Sequence, residues 1–174
     1  FTAIHRLNSE RAEDGDLTAV TRIKDASEVV KAKTATPLEL ALFAASCFEA
    51  TKLNPVLVMG KNKVGVGVWL YESCFSSALQ DDMQLIEKYM SDGVNNLTLF
   101  DAEDLFGHKN ASSTTSEAHA RAGLQRGDYE ICLDVKRCRV GGIFPTPLKV
   151  KTAHGYELLA DKQLSYDEKP QEVF

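Results

Sequence analysis

Cysteines are the residues of this sequence best suited to nucleophilic or metal chemistry, and there are four: Cys47, Cys74, Cys132 and Cys138. No two of them form a C-x-x-C pair of the kind that builds zinc sites, so we expect no metal site. Cys47 and Cys132 lie within apolar patterns, which predicts that both belong to the core. Cys74 follows a predicted strand and has no histidine beside it in the sequence, so we do not expect it to be a nucleophile.

Histidines are the other candidates for acid–base chemistry, and they are scattered through mostly polar surroundings as His5, His108, His119 and His154. An imidazole in such a setting is usually a surface group, so we expect none of them to act as a metal ligand or a base. The segment GKNKVGVG at residues 60–67 lacks the G-K-[ST] ending of a phosphate-binding loop and lies between strands. We therefore expect neither nucleotide binding nor another cofactor.

The most strongly patterned stretch of the sequence is residues 34–71. Its helices and strands would have to position any catalytic or binding side chains. Thr36 is a good N-cap, Pro37 suits the first helical position, and Glu39 completes a capping box. The apolar residues that follow cover most of the helix circumference, which predicts a helix buried in the core. This helix should end near Leu53, because Asn54 precedes Pro55 and a residue directly before proline disfavours helical geometry.

Two apolar strands are expected next, Val56–Met59 and Val64–Tyr71, joined by a lysine-rich turn. In the second strand the valines share one face, while Gly65 and Gly67 share the other. Glycines on one strand face indicate that another element packs closely there. The long helix is the natural candidate for that element.

The remaining elements are patterned less strongly. We expect N-terminal strands within residues 1–24. Helices are expected at Asp25–Lys33, at Asp81–Asp92, where Asp81 is the cap, and near Ser116–Gln125. Further strands are expected at Leu97–Phe100, which ends in Asp101, at Tyr129–Val135 and, as a closing strand, near Tyr156–Ala160. The pattern predicts an α+β fold with a buried central helix packed on an antiparallel sheet. The domain should span residues 1–148, with N-terminal strands in residues 1–18, and residues 149–174 should form a closing strand and a C-terminal linker or tail.

Charge limits the classes of partner. The 174-residue chain carries 20 basic and 25 acidic side chains, a net charge of −5, which argues against a non-specific nucleic-acid binder. The sequence leaves open a local basic patch around Lys61, Lys63, Lys136, Arg137 and Arg139, although ordinary solvated surface is the favoured interpretation. No apolar run reaches the roughly 18–20 residues needed to span a bilayer, so we expect no membrane association. The cysteines and the lack of a secretory signal favour the cytoplasm, and the start without Met indicates an excised segment of a larger protein.

A family resemblance appears in the same stretch. The block TPLELALFAASCFEATKLNPVLV, followed by GVGVWL, resembles the transglutaminase-like (papain-like) domain of large bacterial DUF4011-type helicase-related proteins. In that family the corresponding stretch runs G-T-C-L-[DE]-L-A, then a long helix ending near L-N-P, then G-H-A-F-V-G-V-W-L on a strand. The similarity continues through DDMQLIEKYMSDGVNNLTLFDAEDL and DYEICLDVKRCRVGGIFPTPL, so it covers about residues 19–148.

The resemblance implies a Cys-His-acid site, with the cysteine at the N-terminus of the buried helix, where the helix dipole favours a thiolate. A histidine on the neighbouring strand would act as base, and an acid on a third strand would orient it. Alignment with the family places these three groups at Pro37, Lys63 and Asp101. Proline carries no nucleophile and lysine replaces the histidine, so the resemblance implies a degenerate, catalytically inactive triad.

Neighbouring residues offer poor replacements for the missing thiol. Thr34 or Thr36 with Lys63 would imitate a hydroxyl–lysine dyad, but the N-cap role already accounts for Thr36. Cys47 lies about three turns into the helix, roughly 15 Å from its start, which is too far away.

We therefore expect a catalytically inactive domain of a DNA helicase-related protein that acts as a scaffold or protein-interaction module. Its partners would be other domains of the larger polypeptide, or a protein or peptide in the remnant cleft. One alternative is a cysteine- or threonine-type peptidase or amidase with a rearranged site built from Thr36, Cys74, Lys63 and Asp101. Another is an accessory DNA-contacting module that uses the basic patch.

Overall fold

A five-stranded antiparallel sheet with helices on both faces forms the body of the protein. The structure is a computed structural model, and it describes residues 2–3, 23–106, 112–145, 148–152 and 155–159. The strands are β1 Thr2–Ala3, β2 Thr34–Ala35, β3 Asn54–Met59, β4 Val64–Trp69, β5 Leu79–Gln80, β6 Leu97–Asp101, β7 Ile131–Asp134, β8 Leu148–Thr152 and β9 Gly155–Leu159. The helices are α1 Ala26–Ala32, α2 Pro37–Ala50, α3 Met83–Met90, α4 Ala102–Phe106, α5 Ser113–Arg126 and α6 Val135–Val140.

The sheet is built around the hairpin of β3 and β4. Its strand order is β5-β7-β3-β4-β6, and every neighbouring pair is antiparallel. Strand β1 pairs with β2 in a separate parallel two-stranded sheet, and β8 pairs with β9 in a separate hairpin. The predicted α+β class with an antiparallel sheet is confirmed. None of the described helices has the length and apolar character needed to cross a membrane.

Two apolar clusters divide the core, one on each face of the central sheet. Helix α2 packs on one face, against Leu57 and Val66, and its cluster also includes Val29, Ala35, Leu40, Ala41, Ala44, Ala45 and Ala102. Helices α3 and α5 cover the other face, in a cluster formed by Val56, Val58, Trp69, Phe75, Ile86, Met90, Leu97, Leu99, Ala120, Leu124, Tyr129 and Cys132. Alternation along each strand assigns every side chain to one of these two layers.

The glycine face of β4 receives a different neighbour from the one predicted. Helix α2 contacts the valine face through Val66, whereas Gly65 and Gly67 face Leu99 of β6 and Tyr129. A Cβ added at Gly67 would lie 2.5 Å from the carbonyl oxygen of Thr98. Glycine is therefore needed at these positions because β6 and the residues that pack beneath α5 leave no room for a side chain. The prediction that α2 packs on them is wrong, because the α2 helix instead packs on the branched valine side.

Helix α2 begins as predicted but is less enclosed than its composition indicated. Thr36 is the N-cap and forms a capping box with Glu39. The helix ends at Ala50, short of the predicted Leu53. Cys47 is exposed, so its assignment to the core is wrong, whereas Cys132 is fully buried as predicted. The composition of α2 is apolar on nearly all sides, but only the sides that meet α1, α4 and the sheet are covered.

Short helices at the ends of strands are the elements that the sequence pattern missed. Helices α4 and α6 follow β6 and β7 directly, and the predicted strand through Val135 therefore stops at Asp134. The cap of α3 is Asp82 and not Asp81, because Asp82 accepts the backbone N–H groups of the first turn. The expected strands within residues 4–22 and the tail at 160–174 lie outside the described residues, as do His5, His108 and His154. The closing strand is present as β9, but it pairs with β8 and not with the central sheet.

Gly67→Ala tests the close approach of β4 to its neighbours. The new methyl group would meet the Thr98 carbonyl oxygen at 2.5 Å and the Val56 Cγ2 at 2.9 Å, and a backbone oxygen within a ladder cannot move cheaply. We expect the free energy of unfolding, measured by denaturant titration, to fall by about 2–3 kcal/mol. Gly93→Ala is the control, since nothing lies within 4 Å of its added Cβ. Equal losses for both variants would contradict this packing.

Candidate functional site

An ion pair joins two of the three residues that the sequence singled out. The ammonium Nζ of Lys63 lies 2.6 Å from Oδ2 of Asp101. Lys63 precedes β4 by one residue and Asp101 ends β6, and the pairing of Gly65 with Asp101 brings both side chains to the same end of the sheet. Asp101 is only 1% exposed, whereas the Lys63 side chain is 35% exposed. The Asp101 carboxylate is thus buried, and the partly exposed Lys63 side chain lies on its solvent side.

The second oxygen of the Asp101 carboxylate is equally occupied. Its Oδ1 accepts the backbone N–H groups of Glu103 and Asp104, at 3.0 and 3.3 Å, and so caps the start of α4. The backbone carbonyl of Asp101 accepts the hydroxyl of Ser116 on α5 at 2.8 Å. One residue therefore connects the β3–β4 turn with α4 and α5. Its polar atoms serve to hold these elements together.

Lys63 is held in its charged form. Partial burial alone would lower the pKa of its ammonium, but the hydrogen bond and negative charge of Asp101 outweigh that effect and raise the pKa. The pKa of Lys63 is therefore higher in the folded chain than in the unfolded chain. Its contribution to the free energy of unfolding is complete below the ordinary lysine pKa and is lost only as pH rises through the raised value. At neutral pH the amine is protonated, so it is neither a base nor a nucleophile.

Pro37 belongs to a different part of the molecule from this ion pair. It is the first residue of α2, which packs on the sheet face of Leu57 and Val66. Asp101 alternates in phase with Leu97 and Leu99, whose side chains face α3 and α5. The Asp101 carboxylate and α2 therefore lie on opposite faces of the sheet. The structure brings Lys63 and Asp101 together, and it places the helix that starts at Pro37 in the other layer.

A buried carboxylate organises the start of α2. Glu39 is 3% exposed, and its two oxygens accept the backbone N–H groups of Lys24 and Thr36 at 2.9 and 2.8 Å. The Lys24 ammonium lies 3.5 Å from the same carboxylate and also donates to the Thr34 carbonyl. Burial would raise the pKa of Glu39, but the N–H donors and Lys24 together lower it. The hydroxyl of Thr36 accepts the N–H of Glu39 at 3.3 Å, as expected of a cap.

Two of the four thiols, those of Cys132 and Cys138, are not activated. Burial raises the pKa of Cys132 to about 12, and the nearby Asp134 carboxylate adds to that shift. Burial also raises the pKa of Cys138. Cys74 is half-buried, beside the Phe75 backbone N–H that donates to Asp134. A catalytic thiol needs a pKa below its ordinary value, and neither Cys132 nor Cys138 has one.

Asp134 is a buried polar centre that the sequence did not reveal. It is fully buried, and its Oδ2 accepts the indole N–H of Trp69 at 3.1 Å and the backbone N–H of Phe75 at 2.9 Å. Its Oδ1 accepts the N–H of Arg137 and caps α6. These partners lie up to 65 residues away along the chain. The only local signal is an aspartate at the end of an apolar strand, which also describes Asp101.

A second pair of ionisable groups lies beside the first. Nδ1 of His119 on α5 is 2.6 Å from Oδ2 of Asp104 on α4, and the histidine is exposed as predicted. A carboxylate can orient an imidazole for base catalysis, and it can equally join two helices. Here the contact connects α4 to α5 on the outer side of the Lys63–Asp101 pair. Among the described residues, no group of three or more His, Cys, Asp or Glu side chains is arranged to hold a metal ion.

Tyr129 fills the space between the sheet and α5 near this cluster. Its ring contacts Gly123, where an added Cβ would lie 2.9 Å from Cε2, and its hydroxyl lies 3.4 Å from an added Cβ at Gly65. The hydroxyl is buried and has no hydrogen-bond partner within the described part of the chain. Burial, and then the charge of Asp101, raises the pKa of the phenol well above its ordinary range. The group therefore stays neutral and serves as a packing element.

The predicted basic patch is divided between two places, with Lys61 and Lys63 at the β3–β4 turn and Lys136, Arg137 and Arg139 on α6 near the other end of the hairpin. Nζ of Lys136 lies 3.3 Å from a carboxylate oxygen of Glu72. The Arg139 guanidinium forms a bidentate ion pair with the Glu49 carboxylate, with N–O distances of 2.9 and 3.1 Å. These two ion pairs join α6 to the segment after β4 and to the last turn of α2.

Lys63→Met tests whether the ion pair supports the fold. The substitution leaves the Asp101 carboxylate buried without its cation, which costs about 3–5 kcal/mol at a fully buried site. Because Lys63 is partly exposed, we expect the free energy of unfolding at pH 7 to fall by about 1–3 kcal/mol. Asp101→Asn should cost less in the Lys63→Met background than in the native chain, as measured by a double-mutant cycle.

Arg121→Met is the matched control for this cycle. It removes a cation from the pair with Glu117 on the same helix, 3.1 Å apart, in which the acid is 33% exposed, whereas Asp101 is 1% exposed. Such a pair should change the unfolding free energy by no more than about 0.5 kcal/mol. If Lys63→Met were equally mild, the Lys63–Asp101 contact would be a surface pair without a structural role.

Glu39→Gln tests the carboxylate at the start of α2. The pKa of Glu39 is lower in the folded chain than its ordinary value of about 4.3. The carboxylate's contribution to the free energy of unfolding is therefore complete above about pH 4.3 and is lost as pH falls through the lower, folded-state pKa. We expect the variant to be less stable by about 1–3 kcal/mol at pH 7, and the difference from the native chain to shrink towards pH 3. Glu87→Gln on α3 is the control, and because Glu87 is exposed it should change the unfolding free energy at pH 7 by no more than about 0.5 kcal/mol. A deficit for Glu39→Gln that is the same at pH 3 and pH 7 would contradict the assignment.

Comparison with known proteins does not identify a relative. No protein-family model, no curated protein and no solved structure matches this chain. The resemblance found in the sequence is therefore still a prediction, and function has to be argued from the geometry of the chain itself.

Proposed function

We propose that this chain is a catalytically inactive domain of the transglutaminase-like (papain-like) type, belonging to a DNA helicase-related protein in which it acts as a scaffold or protein-interaction module. The observation that carries the proposal is the Lys63–Asp101 ion pair. It fills the two positions that the family resemblance assigns to base and acid. A protonated lysine held by a buried carboxylate cannot remove a proton from a nucleophile.

The start of α2 supports the same conclusion. Pro37 has no nucleophilic group, and the hydroxyl of Thr36 is engaged by the backbone N–H of Glu39. The Glu39 carboxylate closes the capping box from the other side. The Thr36 hydroxyl and both oxygens of the Glu39 carboxylate therefore have structural partners. The placement of α2 and Asp101 on opposite faces of the sheet separates positions that the family resemblance would join in one site, so it counts against the alignment and adds no support to the proposal.

The two alternative functions have weaker support. A rearranged hydrolase would need a nucleophile beside an available base, and Lys63 is held as a cation by Asp101. A DNA-contacting module would need unpaired cations facing the phosphates, but Lys136 and Arg139 are paired with Glu72 and Glu49. We also propose a cytoplasmic location, where four free thiols are the usual state.

Reactive probes test the absence of catalysis. Iodoacetamide at pH 6 labels thiols of strongly lowered pKa, whereas ordinary thiols react appreciably only near pH 8.5. We expect no cysteine to be labelled at pH 6, and Cys47 to be labelled at pH 8.5 because it is exposed. A fluorophosphonate, which captures activated hydroxyl groups, should leave Thr36 unmodified. Mass spectrometry of the native chain locates any label.

Cys47→Ser is the control for ordinary reactivity, since it should remove the main label at pH 8.5. Stoichiometric labelling of one cysteine at pH 6, abolished by Lys63→Ala or His119→Ala, would overturn the proposal in favour of a hydrolase. Modification of Thr36 that depends on Lys63 would do the same. The same probes applied to urea-unfolded chain show that every thiol can be detected.

A further inference from the structure

We propose that the end of the central sheet at which β3 begins and β4 ends is a docking surface for an acidic, apolar segment of another protein. Six apolar side chains form this open-end surface: Leu53, Leu70, Tyr71, Val140, Ile143 and Phe144. The inference rests on the protein-interaction role proposed above and adds the chemistry of the partner. It does not involve the Lys63–Asp101 pair, which lies at the opposite end of the hairpin.

Strand register brings the first three of these side chains together. Asn54 pairs with Trp69, so Leu53 and Leu70 leave the hairpin side by side, and Tyr71 follows directly. Both strands end here, and no further residue of the hairpin covers these side chains. They therefore point away from the end of the sheet.

Helix α6 lies across the same end of the hairpin. At its start, Lys136 binds Glu72, which is the residue after Tyr71. In its last turn, Arg139 binds Glu49 in the last turn of α2. These two ion pairs place Val140, the last residue of α6, beside the ends of the two strands.

The segment after α6 is held in the same place. A guanidinium N–H of Arg139 donates to the carbonyl of Ile143 at 3.0 Å, and the N–H of Ile143 donates to the carbonyl of Cys138. These contacts fix the backbone from which Ile143 and Phe144 project. Both side chains are therefore presented outwards by a hydrogen-bonded turn.

The exposed area is large for a protein of this size. The six side chains are between 42% and 67% exposed, with Tyr71 and Phe144 highest. Together they present on the order of 600 Å² of mostly apolar surface, at the upper limit for the largest patch on a typical monomer. A standard interface buries about 800 Å² on each partner, so these residues would supply most of one side.

The charges on the same segments are positive in excess. Residues 49–53, 70–72 and 135–144 carry four cations and two carboxylates. The two carboxylates bind Lys136 and Arg139, so Lys52 and Arg137 have no acidic partner among the described residues. The exposed Asp92, in the loop that Leu70 contacts through the Asn96 carbonyl, still leaves the excess positive. This end is therefore positive on a chain whose net charge is −5.

The two cations without an acidic partner border the apolar side chains. Lys52 is exposed and directly precedes Leu53. Arg137 is three residues before Val140 on α6, a spacing that places both on one side of the helix. Carboxylates of a partner would pair with these cations at the rim, while its apolar side chains cover the centre. Arginine and tyrosine are also among the residues that contribute most to binding at such contacts, and Arg137 and Tyr71 supply them here.

The same features disfavour the other occupants. A second copy in a two-fold contact would bring the same excess of positive charge to the surface. Nucleic acid is bound mainly through cations that neutralise phosphates, and here most of the exposed area is aliphatic or aromatic. An anionic bilayer gains only about 1 kcal/mol from each cation near its surface, so two cations attract it weakly. An acidic, apolar polypeptide uses both the charges and the apolar side chains.

Selection from a random peptide library displayed on phage, with the full chain as bait, tests the proposal. We expect the selected peptides to combine aspartate or glutamate with large apolar residues. Fluorescence anisotropy with the synthesised peptides then gives the Kd for each variant. Ile143→Ser/Phe144→Ser should raise the Kd about 30-fold, because two large apolar side chains leave the contact. Both residues are exposed, so circular dichroism and denaturant unfolding should show a native fold.

Lys52→Glu tests the charge preference, with Lys33→Glu as its matched control. Both lysines are exposed and have a positive φ, of 67° and 54°. Lys33 lies at the end of α1, near the start of α2, whereas the open-end surface lies near the end of α2. Reversing the charge of Lys52 should raise the Kd for the acidic peptides about 5-fold at low salt, and added NaCl should reduce that difference. Lys33→Glu should leave the Kd unchanged.

Several outcomes would overturn this proposal. They include a selection that enriches no peptide, enriched peptides rich in lysine and arginine, and peptides that bind the double variant as well as the native chain. Self-association in sedimentation velocity that the double variant abolishes would assign the surface to a second copy instead. Binding to phosphatidylserine vesicles that the double variant abolishes would assign it to a membrane. None of these outcomes alters the labelling results that test catalysis, so the two proposals fail independently.

Discussion

A carboxylate removed from water must have its oxygens hydrogen-bonded, and this fold depends on three residues in that situation. Glu39 ties the chain before α1 to the start of α2 through two backbone N–H groups. Asp101 ties the β3–β4 turn to α4, and Asp134 ties Trp69 and Phe75 to α6. Each carboxylate accepts a backbone N–H at the start of a helix, and it also accepts a hydrogen bond from a group that is distant in the sequence. The elements are therefore fixed relative to one another by charge as well as by apolar packing.

This arrangement has a direct bearing on chemistry. Catalytic carboxylates leave at least one oxygen for a histidine or a substrate, whereas the oxygens of Asp101 are shared between Lys63 and the first turn of α4. The Lys63 ammonium and both oxygens of Asp101 are used to hold secondary structure. A surface that binds other proteins is compatible with such a framework, because it needs a rigid support and exposed apolar side chains. It does not need a perturbed nucleophile.

The sequence specified local features well and long-range ones poorly. The capping box at Thr36, Pro37 and Glu39 was predictable because its signal lies within four residues. The alternation in β4 was also predictable, but not which helix would cover the glycine face, since both faces are apolar. Helices α4 and α6 were missed because each has only five or six residues. The partners of Asp134 lie 59 and 65 residues away, and no pattern in one sequence connects them.

The position of β7 in the sheet imposes an order on folding. Strand β3 pairs on one side with β4, its neighbour in the chain, and on the other with β7, whose pairing joins Val56 to Asp134. During synthesis β3 therefore has an unpaired apolar edge until the chain has grown by more than about 70 further residues. Such an edge is a site for wrong pairing with another chain. The native sheet thus contains a long-range contact that makes folding slow and leaves a central strand exposed until late.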